Sequence, residues 1–224
     1  MNPPAEDVMR RAVRSAWTSL PLYLLGSLVV ASALAVTMWM APGVNLLSLM
    51  SLCYLVTPLM APMIRATQVL ATSDDTFRLR DYVATLPTGW SVTVRLASPI
   101  VGVLALTAVA FTAWRSSGHD LFLVPLGVGA SITVVGVLGF LMAFPLALED
   151  RRRSFGYLWI HGLHLAARGI VPTVAIVATM GLGLWLLLNV SAGLLVVLPG
   201  AIAVVWTVAF LTAQSRSHLT TTAH

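Results

Sequence analysis

Six stretches of roughly twenty apolar residues fill most of this chain, at 20–41, 44–64, 92–114, 121–148, 170–188 and 192–213, and nearly every charge falls in the gaps between them. A helix rises about 1.5 Å per residue, so each stretch can cross a hydrocarbon layer about 30 Å thick. The expected fold is all-α: a polytopic membrane protein of six transmembrane helices with two cytoplasmic amphipathic segments. On this reading residues 1–19 form a cytoplasmic N-terminal segment, 20–213 a six-helix transmembrane domain and 214–224 a cytoplasmic tail.

Composition leads to the same class by a separate route. The chain is 58% hydrophobic and 9% charged, with a mean hydropathy of +0.90, whereas soluble domains carry about 25% charged residues. The parts outside the apolar stretches are too short to bury a core of their own. A net charge of +5 in a soluble protein would point to nucleic acid. Here the basic residues flank membrane stretches, where they set topology and meet anionic lipid, so the bilayer is the expected partner and nucleic acid is not.

All thirteen positive side chains are arginine, a usage that fits a GC-rich bacterial genome. Arg10, Arg11 and Arg14 precede the first stretch, and Arg65, Arg78, Arg80 and Arg95 lie between the second and third. Arg151, Arg152, Arg153 and Arg168 lie between the fourth and fifth, and Arg216 follows the sixth. Only Arg115 falls in the alternate gaps. The positive-inside rule then places both termini and the two longer loops in the cytoplasm of a bacterial inner membrane. Trp17 and Trp90 mark one boundary, and Trp39 and Trp114 the other, as an interfacial aromatic belt requires. The first stretch is too long for the apolar region of a cleaved signal and reads as a retained span. Cys53 is the sole cysteine, so one chain forms no internal disulfide. Asn189-Val-Ser191 matches a glycosylation sequon but lies in a turn against the membrane and reads as a chance match.

None of the apolar stretches carries an ionisable residue near its centre, which argues against a pump that couples through side-chain charge. Hydroxyls could still line a polar route. The candidates are Thr57, Thr107, Ser131, Thr133, Thr173 and Thr179, each equally able to bond its own helix or a neighbour. In the second stretch Pro58 and Pro62 stand four apart on one face, and each removes a backbone donor, so a kink is expected there. That kink serves either packing or a hinge.

Two loops carry enough sequence to fold. In the first, 65–91, Ser73-Asp74-Asp75 is expected to cap a short helix containing Phe77, Arg78, Arg80, Asp81 and Tyr82, and Pro87-Thr88-Gly89 to stop it. In the second, 149–168, Phe155, Leu158, Trp159, Leu163 and Ala166 share one helical face. Tyr157, His161, His164 and Arg168 share another. Such a helix is expected to lie flat in the headgroup layer. The spacing Arg95-x-x-x-Pro99 returns as Arg168-x-x-x-Pro172, compatible with a weak parallel repeat or with coincidence. Candidate partner-docking residues are therefore Phe77, Arg78, Arg80, Asp81, Tyr157, His161 and His164. Candidate hinge or pathway residues are Pro58, Pro62, Arg95, Pro99, Arg168 and Pro172. His161 and His164 alone make a weak metal site. His119-Asp120 lacks an adjacent nucleophile, and no phosphate-binding glycine loop occurs, so no catalytic residue, metal or cofactor is expected, nor an ATPase within this chain.

Several segments carry a family likeness: Pro58-Leu-Met-Ala-Pro62-Met-Ile-Arg65, Asp75-Thr-Phe77-Arg78-Leu-Arg80-Asp81, and Trp90 and Arg95 before the third stretch. Leu163-His-Leu-Ala-Ala-Arg168 and Leu198-Pro199-Gly200 add to it. With these the layout resembles the YesL-like family of six-span bacterial membrane proteins. The resemblance implies an inner-membrane protein associated with carbohydrate uptake systems of the ATP-binding-cassette (ABC) type, with no agreed catalytic residues. A second likeness is to six-span ABC exporter permease subunits. In those, a segment similar to Asp81-Tyr-Val-Ala-Thr-Leu-Pro87-Thr88 couples to a separate ATPase, and residues 9–17 resemble the amphipathic lead-in.

Three functions follow. The first is a membrane or accessory subunit of an ABC-type small-molecule transport system, working with a separate ATPase or permease subunit. The second is a structural or regulatory assembly protein without a substrate of its own, in a homo- or hetero-oligomer. The third, an intramembrane enzyme acting on lipid, has only His161, His164 and Glu149 to draw on.

Overall fold

The computed structural model describes residues 10, 11, 14, 17, 19–41, 45–73, 76–150, 152–189 and 192–221. Among these, the regular structure is helical throughout. Helix α1 spans Leu20–Met40 and α2 spans Leu46–Thr72 with a π-helical turn at Leu52–Val56; α3 runs Leu79–Ser117 and α4 Leu123–Glu149. Helix α5 covers Phe155–Arg168, α6 Ile170–Asn189 and α7 Leu198–Thr221, with 3-10 turns at Asp120–Phe122 and Ala192–Val196. Five helical segments are long and apolar enough to cross a membrane; α5 and α6, joined through a 94° bend, add a sixth if they form one broken span.

The first loop is not a loop with a short helix. Helix α2 continues to Thr72, and α3 then runs unbroken for 39 residues through both Pro87 and Pro99. Ser73 ends α2, its hydroxyl donating to the Val69 carbonyl at 2.9 Å. Helix α3 is opened by Asp81, whose carboxylate accepts the Arg78 N–H at 2.9 Å. Asp74 and Asp75 lie outside the described residues. Pro87-Thr88-Gly89 does not stop the helix because Gly89 serves as a contact: a Cβ there would lie 2.8 Å from the Pro58 carbonyl oxygen and 2.5 Å from the Ala61 Cβ. The stop comes at Gly118, whose φ of 67° ends α3 in the left-handed conformation that glycine adopts without strain.

Two further expectations change. The helix of the sixth apolar stretch, α7, starts at Leu198 rather than at 192, with Pro199 in its first turn, where a missing N–H leaves no helical bond unmade. The shared Arg-x-x-x-Pro spacing marks no structural repeat. Arg95 and Pro99 lie inside α3, whereas Arg168 and Pro172 straddle the α5–α6 bend.

Burial is uneven along the bundle. Residues Leu141 to Leu148 of α4 are all buried, so this end of the helix is enclosed by α2, α3, α5 and α7. Burial stops at Val101 on α3 and begins at Gly136 on α4. Beyond those points the α3–α4 hairpin exposes Leu106, Val109, Val124 and Val128, an apolar surface that suits lipid rather than water.

Prolines and polar groups tie the enclosed end together. Pro145 has no N–H, so the Leu141 carbonyl one turn back lacks its helical donor. The Trp206 indole of α7 donates to that oxygen instead. The carbonyl of Pro145 itself accepts from the Gln68 amide of α2 at 3.1 Å. Helix α1 joins through Tyr23, whose hydroxyl lies 2.7 Å from the Thr67 Oγ1. Thr67 gives its proton to the Met63 carbonyl at 2.8 Å, which makes Tyr23 the donor. Pro58 likewise offers no donor to the preceding turn; the helix widens over Leu52–Val56, and the Thr57 N–H and hydroxyl both reach the Leu52 carbonyl. A π bulge therefore precedes Pro58 in α2.

Candidate functional site

Helix α5 carries the densest group of polar side chains that sequence singled out. Ser154 caps it, accepting the Tyr157 N–H at 3.3 Å. Just before, Asp150 accepts the Arg152 N–H at 3.0 Å and the Arg153 Nε at 3.1 Å. The Arg152 hydrogen bond, followed by that from Arg153, holds the Asp150 carboxyl below the usual carboxylate range. Arg153 then lies over the Tyr157 ring, 5.0 Å from its centroid, and donates to the Tyr157 hydroxyl at 3.1 Å. Tyr157 stacks on His161 with centroids 5.3 Å apart and an interplanar angle of 11°. His161 and His164 follow at 6.4 Å. Positions three and four apart fall on one face of a helix, so Arg153, Tyr157, His161 and His164 form a single cationic and aromatic ladder.

The opposite face fixes α5 to α4. Leu158, Gly162, Leu165 and Ala166 are buried. A Cβ on Gly162 would lie 2.7 Å from the Ala143 Cβ and 2.8 Å from the Gly139 carbonyl, and one on Gly139 would lie 2.7 Å from the Leu163 side chain. Two glycines therefore let the backbones approach, as small residues do between membrane helices. The amphipathic helix is thus packed closely on α4 and turned by 94° from α6.

The other docking candidates divide. Arg78 and Arg80 are exposed at the start of α3, while Phe77 turns inward and packs on the core. Asp81 is engaged in capping α3. Of the hinge candidates, Pro58 and Pro62 are buried in α2 and Pro172 is buried at the start of α6; Arg95 and Arg168 are exposed. Pro62 leaves the Pro58 carbonyl without its helical donor, and that oxygen is the one facing Gly89 of α3. Pro99 is brought beside α5, where both border an apolar cleft of about 440 Å³ with α4.

A larger cleft of about 780 Å³ lies between α2, α3 and α4, bordered by Asn45, Thr107, Thr112 and Thr133. Its threonines donate to their own helices. The same holds for the remaining route candidates: Thr57, Ser131, Thr173 and Thr179 each bond a carbonyl one turn back. All six hydroxyls proposed for a pathway therefore spend their proton locally.

Comparison with models of protein families, with curated proteins and with solved structures found no match. Function has to be argued from this chain's own geometry. Among the described residues no cluster of three or more His, Cys, Asp or Glu side chains could hold a metal. The ladder on α5 offers the Arg153 guanidinium and a run of aromatic faces. Sequence reading missed Trp206, Gln68 and Gly162. The available signal was Pro145 inside an apolar run, since a freed carbonyl in lipid calls for a donor from elsewhere.

Proposed function

We propose that this chain is a transport-associated integral membrane protein, a membrane or accessory subunit of an ABC-type small-molecule transport system with no ATPase of its own. It docks a separate ATPase or permease subunit on the arginine-rich side of a bacterial inner membrane, with both termini on that side, in keeping with the YesL-like resemblance. The observation that carries this reading is the continuity of α3. Its 39 residues extend about 58 Å, against about 30 Å of hydrocarbon. The apolar part lies at 92–114, so the first turns project from the bilayer with Arg78 and Arg80 exposed at the tip. A partner held there would move the whole helix as a lever. The contact of Gly89 with the Pro58 carbonyl would carry that motion into α2 beside its π turn. The test is co-purification from native membranes in mild detergent, with partners identified by mass spectrometry. An ATPase or permease subunit should come with the unaltered chain and be lost from the Arg78→Glu/Arg80→Glu variant. Undiminished retention by that variant rejects docking at this tip.

A second reading, a structural or regulatory assembly protein without its own substrate, is favoured by the local bonding of all six candidate hydroxyls. It predicts a defined complex whose thermal stability no transported solute alters.

A further inference from the structure

The cleft between α3, α4 and α5 combines two chemistries within a few residues. Its walls are apolar: Pro99 and Val103 of α3, Ile132 and Val135 of α4, and Phe155 and Trp159 of α5. Ile132 and Val135 are about half exposed, at 51% and 53%, so the cleft opens to whatever surrounds the hairpin. Within the same wall the Trp159 indole nitrogen is buried without a partner.

At the rim, Phe155 is followed back along the chain by the Ser154 cap, Arg153 and Arg152. Arg152 is exposed. Arg153 commits its Nε to Asp150 and one terminal N–H to Tyr157, and a guanidinium carries further donors beyond these. Among the described residues, Asp150 and Glu149 are the acids at this turn. Glu149 is partly buried, and the Arg65 and Arg153 fields and a Gln214 hydrogen bond act on it. The guanidinium groups of Arg65, Arg152 and Arg153 outnumber the two carboxyls here, and the positive end of the α5 dipole adds to that sign.

We propose that this cleft binds one anionic phospholipid of the surrounding bilayer, with an acyl chain in the cleft and the phosphate at the start of α5 against Arg152 and Arg153. The volume lies within the range of ligand pockets, about 300–1,000 Å³, and the nearly all-apolar wall suits a hydrocarbon chain. Charge complementarity at the rim selects the headgroup. The site requires only that the protein sits in a bilayer, so it stands or falls apart from docking at the tip of α3.

The test uses the full chain in detergent micelles supplied with dioleoyl-phosphatidylglycerol or dioleoyl-phosphatidylcholine, with retained lipid counted by native mass spectrometry. The unaltered protein should retain the anionic lipid preferentially. Arg152→Gln, which removes an exposed side chain, should reduce that preference about fivefold, the effect of roughly 1 kcal/mol per basic residue near an anionic surface. Arg152→Gln/Arg153→Gln should remove most of it, and inorganic phosphate should not compete. Val135→Trp, which fills the cleft, should lower retention of both lipids. Equal retention of the two lipids by the unaltered protein, an unchanged preference in Arg152→Gln, or unchanged retention in Val135→Trp overturns the proposal.

Discussion

The indole N–H of Trp206 donates to the carbonyl of Leu141, the acceptor that Pro145 leaves without a donor from its own helix. A buried acceptor left unpaired costs about 1–3 kcal/mol. Trp206→Phe should therefore lower the free energy of unfolding in detergent by that order, plus lost packing. In a Pro145→Ala background an N–H is restored within α4, and the same substitution should cost less, by roughly 0.5–2 kcal/mol. Equal costs in the two backgrounds would show that the proline and the indole are not coupled.

The glycine crossing of α4 and α5 predicts a position-specific effect of added methyl groups. Gly162→Ala places a Cβ 2.7 Å from the Ala143 Cβ, and overpacking of this kind costs about 1–3 kcal/mol. Gly156→Ala, on the same helix with open space around it, should be neutral or stabilising by up to about 1 kcal/mol. Thermal unfolding of the two variants side by side separates packing from helix propensity.

Continuity of α3 is measurable as a length. Spin labels at Arg80→Cys and Arg95→Cys, in a Cys53→Ser background, should report a single narrow distance. Fifteen residues of helix correspond to about 22 Å between backbone positions. A broad or bimodal distribution would indicate a break at Pro87-Thr88-Gly89.

Much of this architecture is legible in sequence. Lengths of apolar runs located the helices because lipid leaves little choice of backbone structure. The amphipathic period of 155–168 likewise located α5. Three features were not legible. Pro87 and Gly89 read as a stop because local propensity treats them as breakers, whereas Gly89 is used for close approach to Pro58. Leu141 to Leu148 gives no sign of being enclosed, because a helix apolar all round looks the same facing lipid or protein. The ladder on α5 was visible as a shared face of Tyr157, His161 and His164. Its anchor, Arg153 over Tyr157, sits on a turn in which Asp150 accepts from both Arg152 and Arg153.

That turn should respond to acid. Asp150 has its folded-state carboxyl pKa depressed below the ordinary 3.8 by hydrogen bonds from Arg152 and Arg153. For an acid with a depressed value, the stabilisation is present above the unfolded pKa and disappears as pH falls through the folded one. Hydrogen exchange at the Arg152 amide should therefore show extra opening at pH below 3.8, and Asp150→Asn should abolish this dependence. A pH-independent amide in the unaltered protein would reject the bond.

Burial concentrated in α3 up to Val101 and in α4 from Gly136 onward would make the two leaflets of a bilayer unequal in what they can do to this protein. Tension, thinning or a change of lipid length in the leaflet around the enclosed end meets close-packed side chains with little compliance. On the other side the exposed α3–α4 hairpin is flanked by the open cleft against α2, so in a bilayer tilt and hydrophobic mismatch would be taken up there.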